Sequence, residues 1–323
     1  MNIEERLMVV EVRQYIQDNI LIFDGAMGTM LQKKGLQVGE NTEVFGYENP
    51  DILVDIHKEY YEAGSNVATT NTFGCNELKL PQGYDLEKVI DSAVKAAKKA
   101  ASLVNNDNEK YVALDIGPIG EMLEPMGTLS FDRAYEIFKR QMIQGEKSGA
   151  DIIVIETMMD LYEIKAALLA AKENTNLPVF CTMTFDENGR SFTGCLPESM
   201  VVTLQGLGAD AVGVNCSLGP DLLLPIVEKI LTRATIPVMV QANAGLPCIK
   251  CGEAVYDMTA EQFLSGASKF VKMGAKIIGG CCGTNPEFIK ALSQISLQTW
   301  NPSLSGSIIS KRTKSGLKVC TIS

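Results

Sequence analysis

The sequence predicts an α/β fold, a (β/α)8 TIM barrel with a basic, Ser-rich C-terminal tail, and three observations carry that prediction. Eight short runs rich in Val, Ile and Leu recur along the 323 residues, each ending in small or polar residues and followed by a segment of helical periodicity. The runs are apolar on both faces, as strands buried in a parallel sheet are. A doubly wound open sheet would carry a Gly-rich phosphate loop, and neither G-x-G-x-x-G nor G-x-x-x-x-G-K-[ST] occurs.

The runs begin at Leu21 (LIFDG), Asn66 (NVATTNTF), Tyr111 (YVALDIGP), Asp151 (DIIVIET), Pro178 (PVFCTMTF), Asp210 (DAVGVNCS), Pro237 (PVMVQANAG) and Ala275 (AKIIGGCCG). Their spacing leaves room for one strand, one helix and two loops each. The helices are tested by their period. In DLEKVIDSAVKAAKKAASLV, Leu86, Val89, Ile90, Ala93, Ala97, Ala100 and Val104 form one apolar stripe, and the other side is charged. Gly64, Gly149, Gly208 and Gly274 each stand just before a strand, where glycine commonly ends a helix. The barrel is expected over residues 1–295. Residues 288–323 hold five basic and no acidic side chains, and the text SLSGSIISKRTKSG marks 296–323 as a linker or tail.

Hydrophobic residues at 46% and charged residues at 21% exclude a disordered or collagen-like chain. A net charge of -10 repels nucleic-acid phosphates and anionic membranes, so neither is an expected partner. No apolar stretch is long enough to span a membrane, and Glu4 and Glu5 stand where a signal peptide is basic, so a cytoplasmic location is expected. Nine cysteines, an odd number in a chain too long to need disulfide staples, are expected to be reduced, with some binding metal. The single histidine, His57, argues against a histidine base, a Ser-His-Asp triad or a His-rich metal site. It is expected on the first helix after the turn at Asp24.

Catalytic residues of such barrels lie at the C-terminal ends of strands. In order those ends offer Asp24, Asn71, Asp115, Glu156, Thr184, Asn215 with Cys216, Asn243, and Cys281 with Cys282. Adjacent cysteines after two glycines are hard to justify as packing, and a neighbouring strand end supplies a third. Three thiolates, Cys216, Cys281 and Cys282, suit a catalytic zinc that keeps its fourth position open to a thiol substrate. Buried free cysteines as plain core packing are the competing explanation. So is a closed four-thiolate or redox site using Cys248 and Cys251 of the C-I-K-C loop. Asp24 opens the turn DGAMGTML, whose backbone amides could receive a carboxylate, while Asp24 and Glu156 could hold an ammonium group; helix capping is the alternative use for such an Asp. An amino-acid thiol suits all these parts together.

These motifs, DGAMGTML, EAGSNVATTNTFG, GPIG, ETMMD, MTFDENGRSFTG, GVNCSLGP, NAGLP and GGCCGT, resemble the homocysteine S-methyltransferase family, and within it most closely the homocysteine-binding module of the cobalamin-dependent methionine synthase type. The resemblance covers nearly all of residues 10–295. It implies a (β/α)8 barrel with zinc on Cys216, Cys281 and Cys282, and with Asn243 completing the metal shell until the substrate thiol displaces it. It implies that Asp24 and Glu156 bind the amino group of homocysteine and the backbone at Ala26 and Met27 its carboxylate. Asn215, beside Cys216, is counted with the substrate-binding residues.

The implied reaction moves a methyl group from methylcobalamin, carried by a corrinoid partner protein, to the homocysteine thiol, giving methionine. The partner is expected because zinc-thiolate chemistry cannot itself supply a methyl group. Alternatives are a small donor such as S-methylmethionine, a thiol acceptor other than homocysteine, and a non-enzymatic zinc scaffold for a corrinoid protein.

Overall fold

Strict alternation along the strands sets the architecture. In YVALDI, Tyr111 and Ala113 pack with Leu21, Phe23, Val67, Ile152, Val154, Phe180, Ala211, Met239 and Ile277 in one apolar cluster, while Val112, Leu114 and Ile116 belong to a second, larger cluster shared with the helices. Strands buried on both faces are apolar over most of their length, and polar residues enter only toward their C-terminal ends, which is why these runs read as nearly continuous apolar stretches.

The computed structural model describes residues 12–246, 248–250 and 253–295. The expected tail, 296–323, lies outside them, as do Glu4, Glu5 and Cys251, and only the backbone of Cys248 is described.

All eight expected runs form strands: β1 (Leu21–Ile22), β2 (Val67–Thr69), β3 (Tyr111–Ile116), β4 (Ile152–Met158), β5 (Val179–Met183), β6 (Ala211–Asn215), β7 (Val238–Ala242) and, after a short hairpin of β8 (Cys248–Lys250) and β9 (Glu253–Val255), β10 (Ile277–Gly280). They form one parallel sheet in the order β1, β10, β7, β6, β5, β4, β3, β2. A parallel bridge between Phe23 and Val67 joins the first strand to the last and closes the barrel.

Helices follow the strands as expected: α2 (Met27–Lys33), α3 (Thr42–Glu48), α4 (Pro50–Ala63), α5 (Leu86–Leu103), α6 (Phe131–Ser148), α7 (Leu161–Asn174), α8 (Pro197–Gly206), α9 (Pro220–Arg233), α10 (Ala260–Met273) and α11 (Pro286–Leu292). The whole predicted stripe of α5, from Leu86 to Val104, is buried. Gly64, Gly149 and Gly274 cap α4, α6 and α10 in the left-handed conformation, and Gly208 adopts it one residue beyond the cap of α8.

Two features depart from the sequence reading. A helix over 12–18, here α1, places Val12 and Ile16 in the same apolar cluster as the barrel interior. The first βα unit also holds three helices, so His57 lies on α4 rather than on the first helix after Asp24. It is fully buried with neither ring nitrogen hydrogen-bonded, and burial lowers its pKa to about 4, so it is neutral at physiological pH. Among the described residues no helix is long and apolar enough to cross a membrane.

Strand contact is tightest at Gly213 of β6, where an added Cβ would lie 1.8 Å from the Met239 carbonyl oxygen of β7. Gly213→Ala is expected to destabilise the fold by about 1–3 kcal/mol in urea unfolding. Gly206→Ala, on α8 with open space around it, is expected to be neutral or stabilising by up to about 1 kcal/mol. Equal effects at the two positions would contradict this account of barrel packing.

Candidate functional site

The alternation that sends apolar side chains into the barrel continues one step further along each strand and there turns polar. Past Val67 comes Thr69, past Ala113 comes Asp115, past Val154 comes Glu156, past Met239 comes Gln241 and, two steps beyond Ile277, Cys281. These five line a cavity of about 260 Å3 at the C-terminal ends of the strands, together with Gly25 to Thr29 of the first loop, Thr157, Cys216 and Cys282. Among the described residues, no basic side chain lines it.

Cys216, Cys281 and Cys282 converge here, their sulfurs all within 4.8 Å of one another. The end of β7 positions all three. Its Gln241 carbonyl accepts from the Cys216 amide at 3.0 Å, its Ala242 carbonyl accepts from the Cys281 amide at 2.8 Å, and the Ala244 amide donates to the Cys282 carbonyl at 2.9 Å. Cys216 and Ser217 take left-handed φ values of 59° and 60°, which costs a non-glycine residue energy and turns the chain sharply at the strand end. Glycine is required beside the paired cysteines: a Cβ on Gly279 would meet Phe23 at 2.7 Å, and one on Gly280 would meet the Thr284 hydroxyl at 2.3 Å.

The sulfur geometry fits a tetrahedral metal. Zinc–sulfur bonds of about 2.3 Å at the tetrahedral angle set sulfurs ~3.8 Å apart, and Cys216 Sγ lies 3.7 Å from Cys282 Sγ. Charge points the same way. Hydrogen bonds from Cys281 and then Cys282 pull the Cys216 thiol down to about 3, while Cys281 is held well above its ordinary value and Cys282 rises to about 11. A second thiolate beside the first would cost about 4 kcal/mol at an effective dielectric near 20, a cost that a bound cation would offset. Beside them the Asn243 side chain hydrogen-bonds Cys216, and its buried Oδ1 has no hydrogen-bond partner.

Asp24 is 1% exposed and does not itself line the cavity. Its Oδ2 accepts from the Thr69 amide at 2.8 Å and its Oδ1 from the Thr69 hydroxyl at 2.9 Å. Burial raises its pKa to about 7 against the opposing pull of these bonds. Glu156 does line the cavity; burial, then the charges of Cys216 and Asp24, raise it to about 8. The first loop is stitched to the cysteine loop: the Gly280 amide donates to the Asp24 carbonyl, and the Ala26 amide to the Thr284 hydroxyl at 3.2 Å. Met27 begins α2, whose first-turn amides have no carbonyl partner within the helix.

Asn215 is not among the lining residues. Its Oδ1 accepts from the Thr157 amide (2.8 Å) and the Thr182 hydroxyl (2.7 Å), and its Nδ2 donates to Thr157 Oγ1 (2.7 Å) and Cys281 Sγ (3.8 Å). It thus holds Thr157, itself at a left-handed φ of 59° where β4 shifts register, against the cysteine trio. The sequence reading also passed over Thr69, Gln241 and Tyr256, which hydrogen-bonds Cys282. For the first two, the period-two continuation of each strand was the available signal.

A homocysteine S-methyltransferase family model matches residues 21–296. The chain belongs to the homocysteine S-methyltransferase family. The family's methionine synthases from Mycobacterium leprae and Mycobacterium tuberculosis are each 30% identical, over 88% and 90% of this chain but 25% and 26% of their own lengths. This chain therefore spans about a quarter of the curated relatives it matches. The homocysteine methyltransferase MmuM from Escherichia coli, in its oxidized form, superposes with a TM-score of 0.72 at 24% identity, covering 84% of this chain and 94% of that one.

The raised pKa of Asp24 has a consequence for stability. Folded Asp24 holds a proton up to about pH 7, whereas the unfolded chain releases it near 3.8, so the stabilisation is full below the lower value and lost as pH rises through the upper one. Asp24→Asn is expected to flatten that decline in the metal-free protein, by at most about 4 kcal/mol between pH 4 and 7.5 in urea unfolding. Parallel declines in variant and wild type would show that Asp24 does not hold the proton.

Proposed function

We propose that this chain binds one zinc ion through Cys216, Cys281 and Cys282, takes homocysteine as its thiol substrate, and transfers to it a methyl group from methylcobalamin carried by a corrinoid partner protein. The observation that carries the reading is the meeting of three cysteine sulfurs and a carboxylate-lined cavity at one barrel mouth. Family membership supports homocysteine as substrate, and the methionine synthase relatives support a corrinoid donor.

The residues divide the labour. Asp24 and Glu156 bind the substrate ammonium; although both Asp24 oxygens accept from Thr69, each retains a second lone pair. The amides from Met27 onward meet the substrate carboxylate at the positive end of α2. The amide of Ala26 is already bonded to Thr284, so it contributes by fixing the loop. With both charged ends held, the thiol is directed to the cysteine trio, beside which the unpartnered Asn243 Oδ1 would offer a further donor to a bound zinc. Zinc held there would remove the thiol proton near neutral pH, so no histidine base is needed. Asn215, proposed from the sequence as a substrate ligand, acts instead by holding Thr157 and Cys281 in place.

A corrinoid partner also fits the surface around the mouth. Met126, Met159, Phe192 and Leu246, on loops that follow β3, β4, β5 and β7, are exposed large apolar side chains at that end of the barrel, and Phe192 is 73% exposed. They suit a transient contact with an apolar corrin face and its protein.

Metal analysis is expected to find about one zinc per chain, lost on changing any one of Cys216, Cys281 or Cys282 to Ser and kept in a Cys248→Ser, Cys251→Ser double variant. A metal-free double variant would favour the closed-site alternative. In activity assays, homocysteine with excess free methylcobalamin is expected to yield methionine. Rapid turnover from S-methylmethionine or betaine without any corrinoid would overturn the donor assignment.

A further inference from the structure

The cavity holds a carboxylate that the proposed function leaves unused. Asp115, on β3 beside the Glu156 strand, lines the cavity, is 7% exposed, and has an oxygen, Oδ1, that is fully buried without a hydrogen-bond partner. Buried acceptors are ordinarily satisfied, and a bare carboxylate oxygen facing an interior cavity is costly unless a donor arrives. Among the described residues, the groups that act on Asp115 electrostatically are Glu156, Asp24 and Glu43, all acidic.

Donor counting says what would satisfy it. A primary ammonium group presents three N–H donors arranged tetrahedrally. The proposed function, on which this inference rests, assigns acceptors to two of them, Asp24 and Glu156. Gln241 also has an unpartnered buried oxygen in the cavity. It is uncharged, however, and by strand order β7 lies diametrically across the barrel from β3, whereas β4 with Glu156 is β3's immediate neighbour.

We propose that Asp115 is the third carboxylate acceptor for the substrate's ammonium group, so that this site selects thiols bearing an unsubstituted primary amine. Three N–H donors then meet three carboxylates, and a methyl group on the nitrogen would replace a donor and press against Asp115. The energetic weight should match that of other hydrogen bonds to charged groups rather than a packing contact.

The test compares three ligands on the zinc-loaded protein by calorimetry: homocysteine, 4-mercaptobutyrate, which lacks only the amine, and N-methylhomocysteine. Asp115→Asn is expected to weaken homocysteine roughly 10- to 100-fold and to leave 4-mercaptobutyrate unchanged, with zinc content preserved. On the wild-type protein, N-methylhomocysteine is expected to bind at least about tenfold more weakly than homocysteine, which decides the matter even if the variant does not fold. Equal weakening of homocysteine and 4-mercaptobutyrate by Asp115→Asn, no weakening of either, or equal binding of N-methylhomocysteine and homocysteine by the wild type would each overturn the proposal. If Asp24→Asn and Glu156→Gln discriminate the two thiols and Asp115→Asn does not, this inference fails alone. If the wild type binds homocysteine no better than 4-mercaptobutyrate, the amine-binding reading beneath it fails as well.

Discussion

The hydrogen bonds between the end of β7 and the segments on either side of it are what the site depends on. Cys216 leaves β6 on one flank and Cys281 and Cys282 leave β10 on the other, and Gln241, Ala242 and Ala244 bind the backbone of all three. Sulfurs brought to within 4.8 Å by backbone ladders need only small side-chain movements to share one ion. Because the ladder is the closed barrel's own sheet, loosening the barrel and loosening the site are the same event, and the close approach at Gly213 belongs to both.

Three residues at the mouth hold strained backbone, Thr157, Cys216 and Ser217, and the first two line the cavity. Left-handed φ at a β-branched residue persists only where the surroundings overdetermine it. Asn215 supplies that surrounding, with two of its hydrogen bonds to Thr157 and a third reaching Cys281. The carboxylate end and the sulfur end of the cavity are therefore joined through one buried amide. Around them, Asp24, Asp115 and Glu156 are all pushed toward their neutral forms chiefly by burial, and the cavity is poised to receive a cation.

Much of this was legible in the sequence. The eight apolar runs are the eight barrel strands because burial on both faces leaves a continuous signature, and the cysteines at two strand ends converge because barrel geometry forces strand ends to converge. Less visible were the interior details. Asp115 reads as one more polar strand end until its unpartnered oxygen is seen, and Asn215 reads as a ligand until its four hydrogen bonds are counted. The hairpin of β8 and β9 lies where the sequence suggested only a loop, since three-residue strands leave almost no periodic trace. His57 was displaced from its expected helix because α2 and α3 are short and carry little apolar stripe of their own.

The central claim is that three sulfurs fixed by the strands hold a metal with one position open to a substrate thiol. X-ray absorption at the zinc edge, recorded with and without homocysteine, tests it most directly. The account predicts three sulfur neighbours and one oxygen or nitrogen neighbour in the free protein, and four sulfurs once homocysteine is bound. A coordination shell that homocysteine leaves unchanged, or that holds fewer than three sulfurs in the free protein, would contradict it.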